Sequence, residues 1–383
     1  MVKTPVYFDY AATAPVDPRV VEAMLGLLGP DGDFGNPSAV HAYGRKAAAL
    51  VEEAREEIAA LLGVAASGIV FTSGATESDN LAIKGAARAA ARRGRHVITE
   101  KTAHKAVLDA CRALEREGFE VSYLVPDREG RISAAQLEAS LRPDTILVSL
   151  LHANNETGVL QDIPALAAAA RRHGALFHLD AAQSAGKVEL PLEQVDLLAL
   201  SAHKFCGPKG AGLLYVRPGV RLEPLLHGGG HERGRRAGTL ATHQIRGMAL
   251  AFRLAVESMV EESSRLAGFS SRLIEGLCAL PGVLLNGHRE ARLPNIVNVS
   301  VEGVDGEALQ LALRDIACSS GAACNSASGE PSYVLRALGR DDALAGASLR
   351  FSMGRWTRAA EVDYLLERFG SELTRLRRIA GAA

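Results

Sequence analysis

The sequence predicts an α/β protein: a large unit built on a mainly parallel sheet between helices, followed by a smaller α+β unit. Three observations carry this. Short apolar runs alternate with longer helical patterns from about residue 40 to 217, and such alternation implies parallel strands covered on both faces. The rhythm changes after a glycine-rich stretch, HGGGHERGRRAGT at 227–239. Finally, 383 residues exceed what one hydrophobic core usually organises.

In chain order, the predicted strands of the large unit are 68–74, 96–100, 120–125, 145–152, 175–180, 196–201 and 210–216. All are rich in Val, Ile and Leu, as strands buried on both faces are. Between them, Ser133 and Gln136 stand at capping-box spacing at the head of a helix over 133–141. A second helix over 163–174 ends on Gly174, a C-terminal stop. The basic run RAAARRGRH at 88–96 reads as a helix C-terminus, where cations complement the dipole. Beyond 239 come a helical stretch over 242–280, strands at 295–301, 316–321 and 348–354, and an amphipathic helix over 359–378. The expected division is 15–255 for the large unit, with 1–14 and 256–383 forming the small one.

Charge excludes some functions. With 43 basic and 44 acidic residues mixed along the chain, nothing favours nucleic acid or an acidic membrane as partner. No apolar run approaches about 18 residues and the N-terminus has no signal-peptide pattern, so neither a membrane span nor secretion is expected. The five cysteines are scattered and make no C-x-x-C pair, which argues against a metal site or a disulfide framework and fits a reducing cytoplasm. One of them is oddly placed: Cys324 lies in SSGAACNSASGEPS, among residues that build no core.

Three motifs stand at predicted strand ends, where open α/β sheets place ligand chemistry. Lys204, in SAHKFCGPKG, is positioned to form a Schiff base if its ammonium is desolvated, although alone it could be a solvated loop lysine. Asp180, in HLDAAQ, could hold a protonated ring nitrogen or simply cap a turn. In FTSGATESDN, a strand passes through Gly74 into a helix, so the N–H groups of Ala75 and Thr76 could cradle a phosphate. Together, the three describe a site for pyridoxal phosphate.

With FDYAATAPVDP, FGNPSAVHAYG, KTAHKAVLD, HANNETGVLQDI, HGGGHERGRRAGT, SSGAACNSAS and EPSYVLRALG, these motifs resemble the cysteine desulfurases of the NifS/IscS type, from about residue 6 to 375. The resemblance implies a fold-type-I pyridoxal phosphate enzyme that acts as a homodimer. Carried over, it implies that Lys204 holds the cofactor, Asp180 the ring nitrogen, and Gln183 with Asn155 the ring hydroxyl. His104 would stack on the ring and act as acid or base. Ala75, Thr76, Ser201 and His203 would bind phosphate, joined by Thr239 from the partner subunit. Arg350, with Asn36 and Asn155, would grip the carboxylate of L-cysteine. Cys324 would take the sulfur as a persulfide, leaving L-alanine, and its small-residue loop would tether it for delivery to an acceptor protein.

The implied acceptors are an iron–sulfur cluster scaffold or a tRNA-thiolation carrier. Longer members of the family carry a C-terminal tail that helps dock the scaffold, so the resemblance leaves the acceptor open. A selenocysteine lyase or another enzyme of the same family is the alternative. An alternative of another class is a docking platform for sulfur acceptors, against which the intact set Lys204, Asp180, His104 and Cys324 argues.

Overall fold

The computed structural model describes residues 2–320 and 330–381. Its strands are β1 (Val6–Tyr7), β2 (Ile69–Thr72), β3 (His96–Glu100), β4 (Glu120–Leu124), β5 (Thr145–Leu151), β6 (Leu176–Asp180), β7 (Leu197–Ser201) and β8 (Gly212–Val216). After these come β9 (Val283–Leu285), β10 (Ile296–Val301), β11 (Ile316–Ala317), β12 (Ser319–Ser320) and β13 (Ser348–Ser352).

Seven strands form the main sheet in the order β2-β8-β7-β6-β5-β3-β4. Only β8 runs against its neighbours; the pairs from β7 to β4 are parallel. The sheet is thus mainly parallel, and β2 through β7 all end at one edge. Strands β2, β3, β5, β7 and β8 are buried along their whole length, which is why they read as apolar runs rather than alternating ones. One core joins Ile58, Phe71, Val148, Phe177, Leu200 and Phe252, and a second, on the far side of the strands, joins Leu81, Val97, Leu114 and Leu214.

The predicted caps form in part. Ser133 Oγ accepts the Gln136 N–H at 3.1 Å, but the Gln136 side chain reaches away to the Val125 carbonyl at 2.7 Å, so only half a capping box is made. Gly174 closes the helix Ile163–His173 in the left-handed conformation, φ 82°. The predicted stretch 242–280 is two helices, Thr242–Glu257 and Met259–Cys278, meeting at Ser258, whose Oγ bonds back to the Leu254 carbonyl.

A separate core gathers Val6 and Phe8 with Leu273, Val299, Leu349, Phe351, Phe369 and other residues of the C-terminal part. Val6 and Phe8 of the N-terminal segment therefore pack there. The antiparallel sheet β12-β13-β10-β9 lies over it. The predicted strand 316–321 is divided: β11 pairs in parallel with β1, and β12 pairs with β13. Cys318 sits at the switch. Cys324 and its tether fall outside the described residues.

Candidate active site

The strand ends β2, β3, β5, β6 and β7 lead into a cavity of about 640 Å³. Its lining brings together Ala75, Thr76, His104, Asn155, Asp180, Gln183, Ser201, His203, Lys204 and Arg350.

One corner of the cavity is made by backbone. Gly74, at φ 152°, turns β2 into the helix Ala75–Asn80, and no side chain caps the first N–H groups of that helix. They open toward Ser201 and His203 across the cavity. Gly212 must lack a side chain here, because a Cβ would lie 2.4 Å from the Gly74 Cα. His203 Nδ1 meets Thr13 Oγ1 at 3.1 Å, and its pKa falls to about 4 because burial disfavours the cation and Lys204, Lys209 and Lys187 repel it.

Lys204 leaves β7 on a single 3₁₀ turn, Ala202–Lys204. Its Nζ donates to the carbonyls of Ala11 and Ala12 at 2.6 and 2.8 Å. Burial lowers its pKa to about 8, with Lys187 and Arg350 adding repulsion against the pull of Asp180 and Asp9. Asp180, at the end of β6, accepts the Ala182 N–H at 2.9 Å. Burial raises its pKa, while His104, that N–H and Lys204 work the other way. His104 caps the helix Lys105–Arg116 by accepting the Ala106 N–H on Nδ1 at 3.2 Å. The hydrogen of the neutral ring is then on Nε2. Enclosure by the protein keeps the pKa of this imidazole below its ordinary value, against the attraction of Asp180.

On the opposite wall, Arg350 comes from β13. Its Nη1 donates to the Asn155 carbonyl at 2.7 Å, and its Nη2 to Asp9 Oδ1 at 2.8 Å and Ser319 Oγ at 2.7 Å. Ser319 Oγ in turn donates to Asp9 at 2.7 Å. The guanidinium is thus oriented before any ligand arrives, and its buried Nε has no partner among the described residues.

Asn36 and Thr239 are not brought into this cavity. Asn36 is exposed and turns its side chain onto the Ser38 N–H at 2.9 Å. Thr239 is exposed and lines a smaller neighbouring pocket with Ser73, Gly210 and Arg236. Asp9, Ser319, Thr13 and the carbonyls of Ala11 and Ala12 were not singled out from the sequence, although FDYAAT contains four of these five positions.

The class-V aminotransferase family model matches residues 6–365. The chain belongs to that family. It is 56% identical over 380 residues to cysteine desulfurase IscS of Escherichia coli (strain K12 / DH10B), covering 98% of this chain and 94% of that protein. Among solved structures, it is similar to a NifS-like protein with a TM-score of 0.91 and 38% identity, covering 97% of this chain and 100% of the other. It is also similar to SspA in complex with cysteine, with a TM-score of 0.81, 39% identity and coverage of 92% and 100%. It is a pyridoxal-phosphate-dependent enzyme.

The cavity fits that cofactor. Among the described residues, Gln183 Oε1 and Asn155 Oδ1 are buried acceptors with no partner, ready for a ring hydroxyl. The uncapped helix start suits a phosphate. A protonated ring nitrogen would supply the cation that buried Asp180 lacks. Lys204 is an amine whose neutral form is accessible near neutral pH.

Proposed function

We infer that the protein is a cysteine desulfurase: it takes the sulfur of L-cysteine onto Cys324 as a persulfide and releases L-alanine. The observation that carries this is the facing of a depressed-pKa lysine and a buried aspartate by a pre-oriented arginine across one cavity. Bound pyridoxal phosphate supplies the electron sink that allows a Cα proton to leave. Around it, Asp180 holds the ring nitrogen protonated and Gln183 and Asn155 meet the ring hydroxyl. Ala75, Thr76, Ser201 and His203 hold the phosphate. Arg350 receives the substrate carboxylate, its terminal nitrogens being kept in place by Asp9, Ser319 and Asn155.

Lys204 holds the cofactor and, once displaced by the substrate amine, accepts the Cα proton on Nζ. His104 presents Nε2–H to the same space and is the second group able to give or take a proton there. The Cys324 thiolate attacks the substrate sulfur, the C–S bond breaks, and the electrons and a proton end on the carbon that becomes the methyl group of alanine. No described cysteine competes for this role: burial pushes the thiols of Cys111 and Cys318 up to about 12 and that of Cys206 up to about 11, and it also raises that of Cys278.

The finer reading is a cytoplasmic homodimer, with each chain divided at 15–255 against 1–14 and 256–383. Its persulfide is delivered to an acceptor protein, a cluster scaffold or a thiolation carrier. Among the described residues no helix is long and apolar enough to cross a membrane. The test uses L-cysteine labelled in its sulfur. The wild type should form alanine and carry the label on Cys324, whereas Cys324→Ser should load cofactor, bind cysteine and form no catalytic alanine. Label mapping to Cys318, or sulfide release retained by Cys324→Ser, would overturn the assignment.

A further inference from the structure

Behind Asp180, outside the cavity, lies a second buried carboxyl that the mechanism does not use. Asp79 is on the helix Ala75–Asn80, is fully buried, and neither of its carboxyl oxygens has a hydrogen-bond partner among the described residues. His178 Nε2 faces it at 3.5 Å and is likewise without a partner. His178 stands two residues before Asp180 on β6 and so projects from the same face of the sheet. Its other nitrogen, Nδ1, is 2.8 Å from Ser149 Oγ on β5. Two orphaned groups thus face each other in the wall that supports Asp180.

The charges around them restrict how they can be protonated. Two neighbouring carboxyls in a dry site do not both ionise. Asp180 accepts the Ala182 N–H and has His104 and Lys204 on its cavity side, so the negative charge belongs there. Glu100, from β3, also faces this cluster and accepts from Thr102 Oγ1 and the Leu151 N–H at 2.6 and 2.9 Å. Among the described residues Asp79 has no donor, and both burial and the charge of Asp180 raise its pKa well above the ordinary carboxylate value. Burial also keeps His178 neutral, lowering its pKa to about 3. A proton on Asp79 satisfies two orphaned atoms with no net charge.

We propose that Asp79 is a positioning residue that carries a proton toward His178 Nε2, fixes that imidazole with its own hydrogen on Nδ1 toward Ser149, and leaves Asp180 as the anion offered to the ring nitrogen. The helix that begins at the phosphate corner is thereby tied to the strand that ends in the ring-nitrogen acid. The proposal rests on the pyridoxal phosphate reading of the cavity but not on the identity of the amino-acid substrate.

The test is nitrogen NMR on the full chain labelled in histidine, with and without cofactor, with His178→Gln used for assignment. His178 should carry hydrogen on Nδ1 alone from about pH 6 to 9. Asp79→Asn, whose amide N–H replaces the carboxyl proton, should keep that tautomer and the cofactor dissociation constant within about threefold. Asp79→Leu should release the tautomer and weaken cofactor binding by about tenfold or more. A doubly protonated His178, an Nε2–H tautomer in the wild type, or an Asp79→Asn variant as impaired as Asp79→Leu would each overturn the proposal. So would an Asp79→Leu variant indistinguishable from wild type. A wild type that forms no alanine from cysteine, with the tautomer and cofactor affinity as expected, would instead count against the desulfurase reading.

Discussion

The amine of Lys204 donates to two carbonyls, yet its pKa falls to about 8, because burial removes water from the ammonium and Lys187 and Arg350 repel it. The folded value is below the ordinary lysine value of about 10.4, so the unfolded chain binds the extra proton between the two. The group therefore destabilises the cofactor-free fold most below about pH 8, and this cost fades as pH rises toward about 10.4. Cofactor-free Lys204→Met should accordingly be more stable than wild type to urea at pH 7, with the gap shrinking toward pH 10. A gap independent of pH would contradict the buried-amine account. Asp180→Asn should keep its cofactor and lose turnover by about a hundredfold or more, since an amide cannot hold the ring nitrogen protonated. Near-normal alanine formation in that variant would remove the electron-sink role. Lys204, Asp180 and the Ala75–Thr76 turn were legible in the sequence because strand ends announce them. Asp9 and Asp79 were not. Their significance comes from partners 341 and 99 positions away, Arg350 and His178, and no local pattern records such a pairing.

At the level of elements, β2, β3, β5, β7 and β8 of the main sheet read clearly because both faces are buried and the apolar runs are continuous. The short strands did not: β1, β11 and β12 have two residues each and β9 has three, too few for any period to show. The division at Cys318 was equally silent, because IACSSG is compatible with one strand in either sheet. Glycine placement separates stability from function. Gly174 lies in the left-handed region with nothing within 4 Å of a Cβ, so Gly174→Ala should lower stability by about 1 kcal/mol and leave turnover unchanged. Gly212 begins β8 opposite Thr72, and its missing Cβ is what lets β8 approach the Gly74 turn. Gly212→Ala should force the two backbones apart and reduce both stability and cofactor affinity, the latter by about tenfold or more. Equal behaviour of the two variants in unfolding and cofactor titration would refute the distinction.

For the whole molecule, the proposed homodimer turns on Thr239. In its own chain, Thr239 lines a pocket shared with Ser73 and Gly210, and these two residues separate it from the main cavity. Val21, Leu25, Leu28, Phe34 and Tyr43 leave large apolar side chains exposed on the N-terminal stretch, a surface suited to a second copy. A phosphate held across that boundary links cofactor binding to association, so removing the cofactor should weaken the dimer. Thr239→Val alone should weaken cofactor binding by about tenfold, the effect of losing one hydrogen bond to a charged group. Which chain Thr239 serves is decided by a hybrid. When Lys204→Ala and Thr239→Val chains are assembled into one dimer, the second chain keeps Lys204 and receives an intact Thr239 only from its partner. If Thr239 acts across the interface, the hybrid contains one site of wild-type affinity, visible as a tight phase for about half of the sites in equilibrium dialysis. Were Thr239 to act within its own chain, that site would stay as weak as in the Thr239→Val homodimer, and the shared-site architecture would be wrong.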